Sequence, residues 1–159
     1  MTLLHLLSRI THLAVTWTHP DGFTLSDDAD RLDLGAVHAY LARSYWSPGV
    51  PRDIVHRAAA GSLALGLYDA AGAQVGYTRV VTDRATFAYV CDVYVLEPYQ
   101  RRGLGTWMME RLLDHPDLQS LRRWLLTTQD AHAVYERVGF VRTTFPERFM
   151  TIDRPDAYR

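Results

Sequence analysis

The spacing of apolar side chains switches between helical and extended periods along the chain. Leu34, Val37, His38 and Leu41 recur at helical spacing after Asp33, a residue suited to cap a helix. Tyr45-Trp46-Ser47-Pro48-Gly49 interrupts that pattern, and Pro51 suits the first position of a second helix running to about residue 60. From Ser62 the period shortens to two. Leu63, Leu65 and Leu67 alternate, residues 69–73 turn the chain, and residues 74–82 and 86–96 read as two further strands. The last of these is the most apolar, which predicts a central place in an antiparallel meander. Leu104, Trp107, Met108, Leu112 and Leu113 then mark one face of a helix that Pro116 ends. Residues 122–128 read as a strand around Trp124-Leu125-Leu126. Asp130 is placed to cap a short helix with Ala131, Val134, Tyr135 and Val138 on one side, and Gly139 suits its left-handed stop. Short strands are expected near residues 23–26, 140–143 and 148–152. The class is α+β: one mixed, mostly antiparallel sheet with about four helices packed on both faces.

Residues 1–20 stand apart as an N-terminal extension, and residues 21–159 form a single domain. The leucine-rich start reads as a short helix, an extra strand around residues 13–17, or a misassigned start. It is interrupted by His5, Ser8 and Arg9, which argues against a signal peptide, and it is too short to span a bilayer as a helix. The chain carries 17 Lys and Arg against 18 Asp and Glu, so no basic excess points to nucleic acid. A single cysteine, Cys91, rules out an internal disulfide and suits a reducing, cytoplasmic compartment. The histidines show no metal-ligand spacing, so no metal is expected. No membrane partner is expected, and a homodimer is left open.

The sharpest local signal is Gln100-Arg101-Arg102-Gly103-Leu104-Gly105-Thr106, between a strong strand and a strong helix. The first turn of a helix leaves backbone N–H groups without partners, and the helix dipole attracts an anion there. Glycine lets the main chain approach a phosphate closely. The bland alternative is a tight strand–helix turn with two solvated arginines.

The wider context resembles the GCN5-related N-acetyltransferase (GNAT) superfamily. Gln100, Gly103 and Gly105 match its signature of Gln or Arg, two residues, Gly, one residue, then Gly or Ala. Val93-Tyr94-Val95-Leu96-Glu97-Pro98 is similar to the family's fourth strand and following Pro. Ala131-His132-Ala133-Val134-Tyr135-Glu136-Arg137-Val138-Gly139-Phe140 is similar to its second marker. The resemblance covers roughly residues 23–153. It implies a sheet splayed between its fourth and fifth strands, here between residues 93–95 and 124–126. It implies acetyl-CoA as acyl donor, its pyrophosphate on the backbone amides from Arg101 to Thr106, and its pantetheine arm paired with the main chain of Val93 and Val95. Where the family often carries an Asn that contacts the pantetheine, this chain has Thr128.

Two side chains are candidates for catalysis. Tyr135 matches the family's frequent proton donor to the departing thiolate; otherwise it is a core aromatic. Asp92 is a carboxylate in an apolar strand, a costly place for an unpaired charge. It reads equally as the base that deprotonates the amine or as half of a structural ion pair, and strand alternation would put it on the opposite face from Cys91. Glu97, at the loop mouth, is a weaker alternative base. Tyr45 and Trp46 are candidate walls of the acceptor pocket, and Arg79 a candidate partner for a substrate carboxylate, each with a packing or surface alternative. Cys91 reads as a small core residue rather than a nucleophile. The expected activity is transfer of an acetyl group to the amine of a small molecule or peptide. A non-catalytic acyl-CoA-binding module and transfer of another acyl group remain as alternatives.

Overall fold

In the computed structural model, which describes residues 13–158, six strands pair in sequence order: β1 Thr16–Thr18, β2 Thr24–Ser26, β3 Leu63–Tyr68, β4 Gln74–Thr82, β5 Phe87–Val95 and β6 Arg123–Leu125. Each neighbour from β1 to β5 is antiparallel, and β6 joins β5 in parallel. Of the readings for the N-terminal stretch, the described part takes the strand: Thr16–Thr18 pairs with β2 at the sheet edge, and residues 1–12 lie outside the described residues.

All six residues of β3 are buried because both faces of the sheet are covered. Leu63, Leu65 and Leu67 point to one face and meet Leu104, Met108, Met109 and Leu112 of α3 (Leu104–Leu113). Ala64 points to the other, where Val37 and Leu41 of α1 (Leu34–Leu41) and Val55 of α2 (Arg52–Ala60) pack with Tyr77 and Tyr94. Met109 belongs to the buried stripe of α3, whereas Trp107 and Leu113 are only half-buried. Asp33 caps α1, its carboxylate accepting from Ala36 N at 2.9 Å. Pro51 stands at the N-cap of α2, one residue ahead of its expected place.

A buried tie holds the N-terminal edge to the end of α3. His115 Nε2 lies 2.9 Å from Asp27 Oδ2, both side chains fully buried, and Asp27 Oδ1 accepts from Val15 N at 2.7 Å.

Three expectations need correction. The strands foreseen near residues 140–143 and 148–152 do not form; a 3-10 turn at Pro146–Arg148 is the regular structure there. A strand exists only by pairing, and this segment pairs with none of the six strands; Val141, Met150 and Ile152 lie in solvent. The strand foreseen at 122–128 shrinks to Arg123–Leu125 because its pairing with β5 stops at Leu125. Asp130 does not cap α4 (His132–Glu136). No side chain caps it; Ala131 stands at its N-cap, and Thr128 Oγ1 accepts from Ala131 N at 3.0 Å.

Candidate active site

The sheet opens where β5 and β6 part. Their pairs are Phe87 with Arg123, Ala88 with Trp124 and Tyr89 with Leu125, and none follows. Trp124 and Leu125 therefore belong to the closed part, and the gap begins at Leu126. A cleft of about 1180 Å³ fills the opening.

A bulge in β5 helps to make it. Tyr77 of β4 faces Tyr94 and Arg79 faces Cys91, so Thr78 is opposed by two residues, Asp92 and Val93. Asp92 takes φ of +54°, a left-handed conformation uncommon outside glycine. The bulge breaks strand alternation. Register puts Cys91 on the face of Arg79, and Asp92 bonds that same arginine, so both side chains reach the α1–α2 side of the sheet. The opposite-face expectation fails because it assumes an unbroken pleat.

Arg79 Nε donates to Asp92 Oδ2 at 2.6 Å, and its Nη1 to Ser62 Oγ at 3.2 Å. Trp46 Nε1 donates to Asp92 Oδ1 at 3.1 Å. The carboxylate thus links the strand to the α1–α2 connection. Arg79 is turned to Asp92 and Ser62, where the sequence had suggested a substrate carboxylate. Burial pushes the Cys91 thiol up to about 11, a protonated and unreactive state at neutral pH.

On the same wall Tyr40 stacks on Tyr94 at 3.8 Å, and Tyr45 meets Trp46 edge-on at 5.0 Å. Tyr45 Oη accepts from Gln129 N at 3.3 Å, which ties the α1–α2 connection to the turn after β6, across the gap.

The floor of the cleft is main chain. Leu96 N donates to Val75 O of the β4 side, so alternation turns the N–H and C=O of Val95 toward the gap, and those of Val93 with them. Gln100 Nε2 donates to Val95 O at 2.8 Å, folding the loop back onto the strand and using one acceptor position of that carbonyl. Arg101 (φ +62°) and Gly103 (φ +75°) are both left-handed, and these reversals aim the head of α3 at the cleft. No side chain caps α3. Its first backbone bond runs from Trp107 N to Gly103 O, and Gly103, Leu104, Gly105 and Thr106 line the opening ahead of it.

Glycine at 105 has no structural cause within the fold. It lies in the helix without a positive φ, and a Cβ placed there would meet nothing within 4 Å. A helix would gain from alanine at such a position. The space a Cβ would fill is the cradle that an anion at the helix head would need. The two arginines separate: Arg101 lines the cleft, while the Arg102 guanidinium lies over the Phe23 ring at 5.0 Å.

From the far wall comes Tyr135, edge-on to Phe140 with ring centroids 6.0 Å apart. Burial, then the neighbouring Tyr45 and Asp130, push its phenol up to about 12. Arg137, Tyr40, Tyr89 and Tyr94 also line the cleft, and the sequence had singled out none of them. Arg137 had a signal, as the basic residue of the Tyr-Glu-basic marker; the tyrosines had none, because aromatic residues on strands and helices are ordinary core. Among the described residues no group of three or more His, Cys, Asp or Glu is placed to hold a metal, and no helix is long and apolar enough to cross a membrane.

Known proteins resemble this chain in sequence and fold. The sequence model of the acetyltransferase (GNAT) family matches residues 25–140. A provisionally named acetyltransferase of Gibberella zeae is 32% identical over 146 residues, 77% of this chain and 81% of that one. A crystal structure from Xanthomonas campestris pv. campestris, provisionally assigned to the same family, superposes with a TM-score of 0.82 at 40% identity, covering 86% of this chain and 96% of that one. A Clostridium acetobutylicum protein of similar provisional assignment, solved with acetyl-CoA, shares the fold with a TM-score of 0.60 at 13% identity, covering 89% and 96%.

Proposed function

The chain belongs to the GNAT acetyltransferase family, and from that premise we propose that its cleft takes acetyl-CoA and passes the acetyl group to an amine in a ternary complex. The observation that carries this reading is Gly105, whose missing side chain neither the backbone nor the packing of the protein requires. An uncapped helix head with open space before it suits a pyrophosphate. Arg101 adds positive charge at the same point, and the gap-facing main chain of Val93 and Val95 supplies an edge for the pantetheine arm. Arg102 would then contribute its backbone rather than its guanidinium.

Acetyl-CoA, when bound, supplies an activated thioester. The protein's part is to hold it beside the acceptor and to manage two protons. As the amine nitrogen bonds to the acetyl carbon and the carbon–sulfur bond breaks, the sulfur needs a proton. Tyr135 is the donor: burial keeps its phenol protonated throughout the neutral range, as a general acid must be. The amine's own proton leaves on the other side. Asp92 has given two acceptor positions to Arg79 and Trp46, and a carboxylate has about four, so two remain for the amine. Arg79 positions that carboxylate. The half-buried Cys91, its thiol held protonated, takes no part as a nucleophile, which favours direct attack over an acyl-enzyme.

A ligand that binds only the folded state stabilises it by about 2.7 kcal/mol at one hundred times its Kd. For a domain of this size that raises Tm by about 5–10 °C. Thermal unfolding with and without 1 mM acetyl-CoA is therefore the first test, and an unchanged Tm would overturn the assignment of the cleft.

A further inference from the structure

Resting on the reading of the cleft as an acyl-transfer site, we infer that the acceptor is a compact monoamine carried on an aromatic or apolar body, received by Tyr45 and Trp46. The acceptor wall is aromatic and partly open to water. Tyr45 is 54% exposed and Trp46 38% exposed, an apolar pair held at the mouth of a polar-backboned cleft. They are not loose surface residues. Trp46 is pinned through its indole N–H to Asp92, and Tyr45 through its hydroxyl to the main chain of Gln129. Both rings are therefore oriented before any ligand arrives, and a preorganised aromatic wall binds a flat or cationic group at little ordering cost.

The charges on this side point the same way. Arg79 and Asp92 neutralise one another, and Arg43 is paired with Glu97 at 2.7 Å. The other guanidiniums lining the cleft, Arg101 and Arg137, lie on the glycine-bearing loop and next to α4. An acceptor with a carboxylate beside its amine would find no uncommitted cation on the acceptor wall. A polyamine or aminoglycoside would find no row of carboxylates among the described residues, where Asp130 alone accompanies Asp92 among the acids that line the cleft. One ammonium group, donating to the acceptor positions that Asp92 has left and held against the Trp46 and Tyr45 rings, matches what the wall offers.

The test is steady-state release of free CoA from saturating acetyl-CoA with 2-phenylethylamine, spermidine, leucine, kanamycin and a lysine-containing peptide as acceptors. The expected kcat/KM for 2-phenylethylamine exceeds each of the others by roughly tenfold or more, the scale of one desolvated cation–π contact. Trp46→Ala should raise KM for 2-phenylethylamine by roughly tenfold, with Trp46→Phe recovering part of the loss, and leave KM for acetyl-CoA within about twofold. The thermal shift with acetyl-CoA serves as the folding control for both variants. Preference for spermidine, kanamycin, leucine or the peptide overturns the inference, as does an unchanged KM in Trp46→Ala. Turnover of none of the five, with the acetyl-CoA shift intact, overturns it too and leaves the cofactor site standing. Loss of the shift in the unmodified protein removes the transfer reading itself, and the inference falls with it.

Discussion

Gly105→Ala should strengthen the fold and weaken cofactor binding. The residue sits in the first turn of α3 with no positive φ, and a Cβ at this position would have no heavy atom within 4 Å. Nothing in the protein resists a methyl group. Alanine restricts the unfolded chain and favours the helix, a gain of about 0.5–1 kcal/mol. For a domain of about this size that raises Tm by roughly 1–4 °C. The same methyl would stand in the space before the helix head, where a pyrophosphate needs the backbone N–H groups of Leu104, Gly105 and Thr106 at contact distance. Each charge-assisted hydrogen bond lost there is worth about 1.5–3 kcal/mol. Losing one raises Kd by roughly 10- to 200-fold. Calorimetric titration with acetyl-CoA measures that Kd, and thermal unfolding of the free protein measures the stability gain in parallel. If Gly105→Ala binds acetyl-CoA as tightly as the unmodified protein, the pyrophosphate is not at the head of α3. If it is instead less stable when free, packing explains the glycine and no cradle is needed to account for it.

Other consequences follow from the same geometry. Tyr135→Phe keeps the ring against Phe140, so stability and acetyl-CoA affinity should hold while kcat falls by ~10²–10⁴-fold; a fall of less than about threefold, under ~1 kcal/mol, returns Tyr135 to a packing role. Because its phenol is pushed up to about 12 and a general acid works only while protonated, this group should cause no loss of kcat between pH 7 and 10. An alkaline fall in that range that disappears in Tyr135→Phe would contradict the assignment. Cys91, raised from 9.0 to about 11, should be alkylated by iodoacetamide at pH 8 about 100-fold more slowly than a free thiol of the lower value, in proportion to its thiolate fraction. Labelling at the free-thiol rate would show that its surroundings do not raise the thiol. Asp27→Ala strips partners from His115 and the Val15 N–H at once and should cost about 3–5 kcal/mol. A Tm within about 2 °C of the unmodified protein, corresponding to less than ~1 kcal/mol, would refute a structural role for that tie.

Much of the architecture was legible in the chain because it depends on local chemistry. Asp33 announced the start of α1, Leu63, Leu65 and Leu67 marked one face of β3, and the strand–glycine–helix passage around Gly103 and Gly105 announced an uncapped helix head, since helix heads and strand alternation are set within a few residues. Two markers in the right order carried the family. What local pattern could not carry was anything requiring a partner distant in sequence. Residues 140–152 alternate like strands but pair with none of the six. Asp92 leaves its expected face because β5 holds one residue more than β4 opposite it, a mismatch visible only once the strands are paired. The ambiguity between base and ion pair at Asp92, and the role of Arg79, turned on a 2.6 Å contact between residues 13 positions apart on neighbouring strands. The aromatic wall was assembled from α1, the α1–α2 connection and β5, whose separate sequences look like ordinary packing. Local sequence determined where most elements begin and turn and which helix head is left uncapped; the tertiary structure decided which side chains share the cleft, because that depends on register and on where two strands cease to pair.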